Sequence, residues 1–141
     1  MNGGETRIFG AHSAQLSLAI GFVEEVCERE GVAAGDALRL TLIVEELFTN
    51  VLMHGHRGDH PSSVHIELQV SPAHLSLCMA DQAPAFDPLQ YLAKLPVLDR
   101  PVEERKPGGL GLALVAQMSE RLDYAHADGF NRLSVVLRRE S

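Results

Sequence analysis

Apolar residues at Leu16, Ala19, Ile20, Val23, Val26 and Cys27 recur at three- and four-residue steps, which predicts an amphipathic helix over residues 13–30. Gly31 and Gly35 interrupt the pattern. A second stripe, Leu40, Ile43, Leu47 and Val51, predicts another helix with Asp36 as its N-cap and His54-Gly55 near its end. The period then shortens to two. Val64, Ile66, Leu68 and Val70 alternate with His65, Glu67 and Gln69, the signature of a half-buried strand. Ser71-Pro72-Ala73-His74 turns the chain into a second strand through Leu75, Leu77 and Met79, ending near Asp81. Residues 88–107 hold four of the seven prolines and two charged groups, Asp99-Arg100 and Glu103-Glu104-Arg105-Lys106. They read as a long irregular loop with one short helix near residues 89–92, and a loop of that length in a small domain tends to be functional. Beyond it, Leu110 to Met118 has a helical pattern, and residues 122–127 and 132–137 form a closing hairpin around Asp128-Gly129. Two helices, two strands, a loop, a helix and a hairpin predict an α+β fold. Its form is a two-layer α/β sandwich with helices on one face of a mixed, mostly antiparallel sheet.

Composition narrows the function. A chain of 141 residues fits one domain, 1–141, with a core large enough to fold unaided. Its longest apolar run is far short of a membrane span, and no basic start followed by an apolar core marks a signal peptide, so the expectation is a cytoplasmic protein away from membranes. Cys27 and Cys78 lie in separate apolar-patterned elements without metal-ligand spacing and read as reduced core thiols. The net charge of -7 argues against direct nucleic-acid binding, which needs a basic face. It leaves open a nucleotide, whose phosphates can be held by backbone amides and a few cations.

Candidate chemistry starts with Glu46 and Asn50. Four residues apart on a predicted helix, they share one face with β-carbons about 6 Å apart. A glutamate can take a proton, and an amide oxygen can join a magnesium shell. A solvated helix face is the plainer reading of the same spacing. Gly108, Gly109 and Gly111, just before and within an apolar helical stretch, would let backbone amides approach phosphates at a helix N-terminus, or would merely let a loop close. His54, His56 and His60 cluster without the cysteine or carboxylate partners of a zinc site, and a polar helix end accounts for them.

Three segments come in a recognisable order. Glu45-Glu46-Leu47-Phe48-Thr49-Asn50-Val51 with His54-Gly55, then Asp81-Gln82-Ala83-Pro84-Ala85-Phe86-Asp87-Pro88, then Pro107-Gly108-Gly109-Leu110-Gly111-Leu112 resemble the N box and the first and second glycine boxes of the histidine-kinase-like (GHKL) ATPases, whose nucleotide pocket is called the Bergerat fold. The resemblance spans most of the chain. It implies ATP and Mg2+ as cofactors, with a lid at about residues 88–107. Glu46 would be the catalytic base and Asn50 a magnesium ligand. Asp81 would accept a hydrogen bond from the adenine amine, an Asx-turn being its alternative. Ala83 and Phe86 would wall the base, and Lys106, Gly108, Gly109, Leu110 and Gly111 would meet the phosphates. Arg105 beside Lys106 could share in that, or both belong to a solvated run.

Within the superfamily the chain looks most like the stand-alone anti-sigma-factor serine kinases of the RsbW and SpoIIAB type. The ending Phe86-Asp87-Pro88 and the closing Asn131-Arg132-Leu133-Ser134-Val135-Val136, similar to that family's Asn-x-Leu-Thr strand, support this and add Ser134 to the implied site. This resemblance implies a homodimer, joined through the first helix and the edge strand at residues 7–10. It would bind a sigma factor and phosphorylate a serine or threonine of a STAS-domain anti-anti-sigma protein. One departure is Ala83, where the family carries glycine: its methyl narrows the base wall and resists positive φ. That departure motivates a second reading, a nucleotide-gated binding module with little or no kinase activity. A detached sensor-kinase domain acting on another chain's histidine is a third.

Overall fold

Alternation builds the centre of the sheet. In β2 (His60–Val70) the side chains of Val64, Ile66, Leu68 and Val70 are buried, and in β3 (His74–Asp81) Leu75, Leu77, Met79 and Asp81 point to the same side. The computed structural model describes residues 3–55, 60–85, 87–89 and 109–140. Three further strands, β1 (Gly3–Ala11), β4 (Arg121–Ala127) and β5 (Phe130–Arg138), complete one sheet in the order β1-β2-β3-β5-β4. Every pairing among the described residues is antiparallel. The β4–β5 hairpin turns on Asp128 and Gly129, with φ of 55° and 80°. Both are left-handed, as the Asp-Gly pair foretold, because that twist matches the flanking strands.

One sheet face carries the helices. A 3-10 turn at Ser13–Gln15 leads into α1 (Leu16–Arg29), which buries Ala19, Phe22, Val23, Val26 and Cys27. Phe22 packs against Phe9 of β1 with ring centroids 5.9 Å apart, and the Arg7 guanidinium lies 4.8 Å over the same ring. The helix ends in a Schellman arrangement: Gly31 takes φ 68°, Val32 N–H donates to the Cys27 carbonyl at 2.8 Å, and Gly31 N–H donates to that of Glu28 at 3.3 Å. Glycine at this left-handed position is what stops the helix. Cys27 and Cys78 are unbridged, and burial pushes the Cys27 thiol up to about 11, which keeps it neutral and unreactive.

The second helix, α2 (Ala34–Asn50), runs on into a π-helical turn at Val51–Gly55. It starts before Asp36, with Ala33 as a cap that makes no side-chain hydrogen bond. Asp36 is therefore not the N-cap. It is the third helical residue, and its side chain turns inward to a partner that local spacing does not reveal. Its Oδ1 lies 2.6 Å from Arg39 Nη2 and accepts the Glu140 N–H at 3.2 Å, while Arg39 Nη2 also donates to the Arg138 carbonyl at 2.8 Å. Burial by itself would raise the Asp36 pKa. The Arg39 and Glu140 hydrogen bonds and the charges of Arg39 and Arg139 outweigh burial and hold it below the usual carboxylate value. This cluster ties the start of α2 to the end of β5. Leu40, Ile43, Val44, Leu47 and Phe48 then fill the space between α2 and the sheet. Each such buried side chain contributes roughly 1.5–3 kcal/mol relative to exposure. Finally, α3 (Gly109–Met118) adds Leu112 and Val115 to the same core.

Candidate functional site

The C-terminal half of α2 carries the first pair of candidates. The stripe that buries Leu47 and Phe48 leaves Glu46 and Asn50 half-buried, one turn apart, and Glu45 exposed. Glu46 lies against α3: a β-carbon added to Gly111 would overlap its carboxylate. Two distant motifs therefore meet where only glycine leaves room. Desolvation raises the Glu46 pKa, with repulsion from Glu45 the smaller cause. Among the described residues it is paired with no cation. A half-buried carboxylate with its proton affinity raised is a better proton acceptor than an exposed one.

Asn50 opens onto a small cleft between α2 and the sheet. Leu47, Val51, Met79 and Leu133 supply apolar walls. Asp81, Tyr124 and Asn131 supply polar atoms. Asp81 is 6% exposed, and its Oδ1 accepts the Ala83 N–H at 2.9 Å and an Asn131 Nδ2–H at 3.2 Å. The first of these is the Asx-turn that the sequence offered as an alternative. It leaves Asp81 on the cleft wall, so the two readings do not compete.

Ala83 is buried at 3% exposure. Positive φ among the described non-glycine residues is confined to Asp128. The chain thus accommodates the methyl of Ala83 without the backbone conformation that would have demanded glycine.

The other expected residues divide. Gly109, Leu110 and Gly111 form the first turn of α3, where backbone N–H groups lack intrahelical partners. Ser134 stands apart. Alternation along β5 buries Asn131, Leu133, Val135 and Leu137 on the helix side and turns Ser134 to the opposite face, where its hydroxyl lies 3.6 Å from Cys78 Sγ. The residue of that strand facing the cleft is Leu133. Phe86, Arg105, Lys106 and Gly108 lie outside the described residues, as do the lid beyond residue 89 and most of the short helix expected at residues 89–92. Tyr124 and Asn131 received no role from the sequence. The one signal was the position of Asn131 at the head of the closing-strand motif.

A family model described as a histidine kinase-like ATPase domain matches residues 9–137. The chain belongs to that family. Among histidine kinase-like ATPase proteins, it is 32% identical over 118 residues to the serine/threonine-protein kinase BtrW of Bordetella bronchiseptica, covering 84% of this chain and 82% of that one. It is 26% identical over 110 residues to the serine-protein kinase RsbW of Bacillus cereus, covering 77% and 68%. Among solved structures, the mycobacterial sensor histidine kinase MprB superposes with a TM-score of 0.52 at 21% identity, over 96% of this chain and 98% of that one. This last likeness is one of fold: α+β, with helices on one face of an open antiparallel sheet.

Proposed function

We propose that this protein is an ATP-dependent serine/threonine protein kinase that doubles as an anti-sigma factor in a bacterial partner switch. The observation that carries the reading is the Glu46 carboxylate, raised in pKa and lodged against Gly111 one turn before Asn50. The names of the BtrW and RsbW relatives supply the reaction class. The acceptor is a hydroxyl of a STAS-domain anti-anti-sigma protein, and the competing client is a sigma factor. The protein acts in the cytoplasm as a homodimer. No helix of the described residues is long and apolar enough to cross a membrane.

The residues present fit a magnesium nucleotide. Asp81 on the cleft wall would accept the adenine amine, Ala83 would border the base, and the first-turn amides of α3 at Gly109, Leu110 and Gly111 would meet the phosphates, with Phe86, Lys106 and Gly108 taking the roles that the family resemblance implies. The Asn50 carboxamide oxygen would hold Mg2+, which would neutralise phosphate charge. Glu46 would take the proton of the attacking hydroxyl, ATP supplying the γ-phosphoryl group and leaving as ADP. Catalysis of this kind is mostly positioning and charge stabilisation. The nucleotide-gated alternative rests on Ala83, and the ordinary backbone at that residue answers only the part of it that concerned positive φ.

Incubating wild type and Glu46→Gln with γ-labelled ATP and a STAS-domain substrate tests the proposal. Label should pass to a serine or threonine of the substrate, and the variant should bind ATP normally but transfer about 10²–10⁴-fold more slowly. Full transfer by the variant would remove Glu46 as the base. Binding without transfer by the wild type would remove the kinase.

A further inference from the structure

Asn131 sits at the head of β5, 6% exposed, and its side-chain amide is aimed at the turn that follows Asp81. Its Nδ2 donates to three acceptors: Asp81 Oδ1 at 3.2 Å, the Ala83 carbonyl at 3.0 Å and the Pro84 carbonyl at 3.2 Å. Its Oδ1 accepts from the hydroxyl of Tyr124, across the hairpin on β4. These contacts fix which way the carboxamide points. Flipping it would bring Oδ1 against three acceptors, which is what fixes the orientation. The turn from Asp81 to Pro84 is thus gripped from one side by its own Asx hydrogen bond and from the other by Asn131.

We infer that Asn131, oriented by Tyr124, is a positioning residue that sets the Asp81 carboxylate for the base of the nucleotide and so determines adenine over guanine. The inference rests on the nucleotide reading above and names the specificity device of that site. Two donors on Asp81 Oδ1 lock the rotation of the carboxylate about its Cβ–Cγ bond. A carboxylate so held accepts from the exocyclic amine of adenine, whereas guanine presents a carbonyl oxygen at that position and is repelled. Tyr124 and Asn131 both line the same cleft as Asp81, so the base lies within reach of the residues that orient its acceptor. Discrimination by a hydrogen bond is strong when the wrong partner leaves buried polar groups unmatched. A loosened carboxylate can rotate away and forfeits that penalty.

The test compares ATP and GTP binding by wild type, Asn131→Leu and Tyr124→Phe, together with KM and kcat for phosphate transfer. Tyr124→Phe keeps the ring and its packing and loses the hydroxyl alone, so it covers the case in which Asn131→Leu does not fold. Wild type should prefer ATP. In Asn131→Leu the ATP dissociation constant should rise about tenfold while that for GTP changes little, and KM for ATP should rise with kcat kept at saturation. Tyr124→Phe should move the ATP-to-GTP ratio in the same direction by a smaller factor. A preference retained in both variants would overturn the inference, as would a fall in kcat that tracks thermal unfolding. Wild type that binds neither nucleotide would instead overturn the functional reading on which the inference stands. The two failures are therefore distinguishable.

Discussion

The two ends of α2 each hold a carboxylate, and they are treated in opposite ways. At the N-terminal end Asp36 is 1% exposed, meets Arg39 at 2.6 Å, accepts the Glu140 N–H and is held below the usual pKa. At the C-terminal end Glu46 is half-buried, is paired with no cation among the described residues, lies against Gly111 and is raised. A carboxylate compensated by cations serves the fold, because its charge is already offset. One that is desolvated and uncompensated keeps an affinity for protons, which is what chemistry requires. A single helix therefore anchors the chain's last strand with its first turn and equips a cleft with its last.

The contrast can be broken from either end. The largest effect expected is on transfer in Glu46→Gln, a fall of about 10²–10⁴-fold with unfolding barely changed. The sign of its pH dependence is fixed. A raised carboxyl favours the fold below its ordinary pKa and loses that contribution as pH rises through the raised value. The variant should thus be slightly more stable than wild type at neutral pH and converge with it in acid, as denaturant titrations across pH would show.

At the other end, Arg39→Ala strands a buried aspartate and should lower stability by about 3 kcal/mol while leaving nucleotide affinity alone. Asp36 has a lowered pKa, so its contribution is present above the ordinary carboxylate value and is lost as pH falls through the lowered one. The difference between Arg39→Ala and wild type should accordingly shrink in acid. Loss of activity at unchanged stability in that variant would contradict the division of roles.

Gly111→Ala is a gentler probe. The added methyl meets the far end of a flexible side chain, so Glu46 swings aside and the helix survives. Transfer should drop about tenfold, with stability shifted by no more than about 1 kcal/mol. The smallest effect belongs to Glu45→Gln. Removing the like charge should move the acid limb of the pH–rate profile toward lower pH.

Much of this was legible in the chain. The period of α1 and α2, the alternation of β2 and β3 and the Asp-Gly hairpin are local patterns with local causes, and each element formed where its pattern lay. The pairing of Glu46 with Asn50 on one face followed from helical spacing alone. What escaped depends on partners distant in sequence. Asp36 resembles a cap until Glu140, 104 residues away, is seen to donate to it. Ser134 shares a motif with Asn131, yet a strand alternates faces, and a motif does not say which face is inward. Asn131 reaches Asp81 across 50 residues, a separation at which spacing carries no signal. The contact between Glu46 and Gly111 joins two motifs that the sequence could only set side by side as a resemblance. The continuation of α2 to His54-Gly55 followed from its stripe, and only the π-helical form of that last turn had no sequence signal.

The most direct test of the central claim, that the C-terminal end of α2 serves a magnesium nucleotide, is calorimetric titration of ATP into wild type and Asn50→Ala, with and without magnesium. Wild type should bind ATP in a magnesium-dependent manner, and Asn50→Ala should lose that dependence and most of the affinity while unfolding at the wild-type midpoint. Equal magnesium-dependent affinity in the two proteins, or no binding by wild type, would contradict the account.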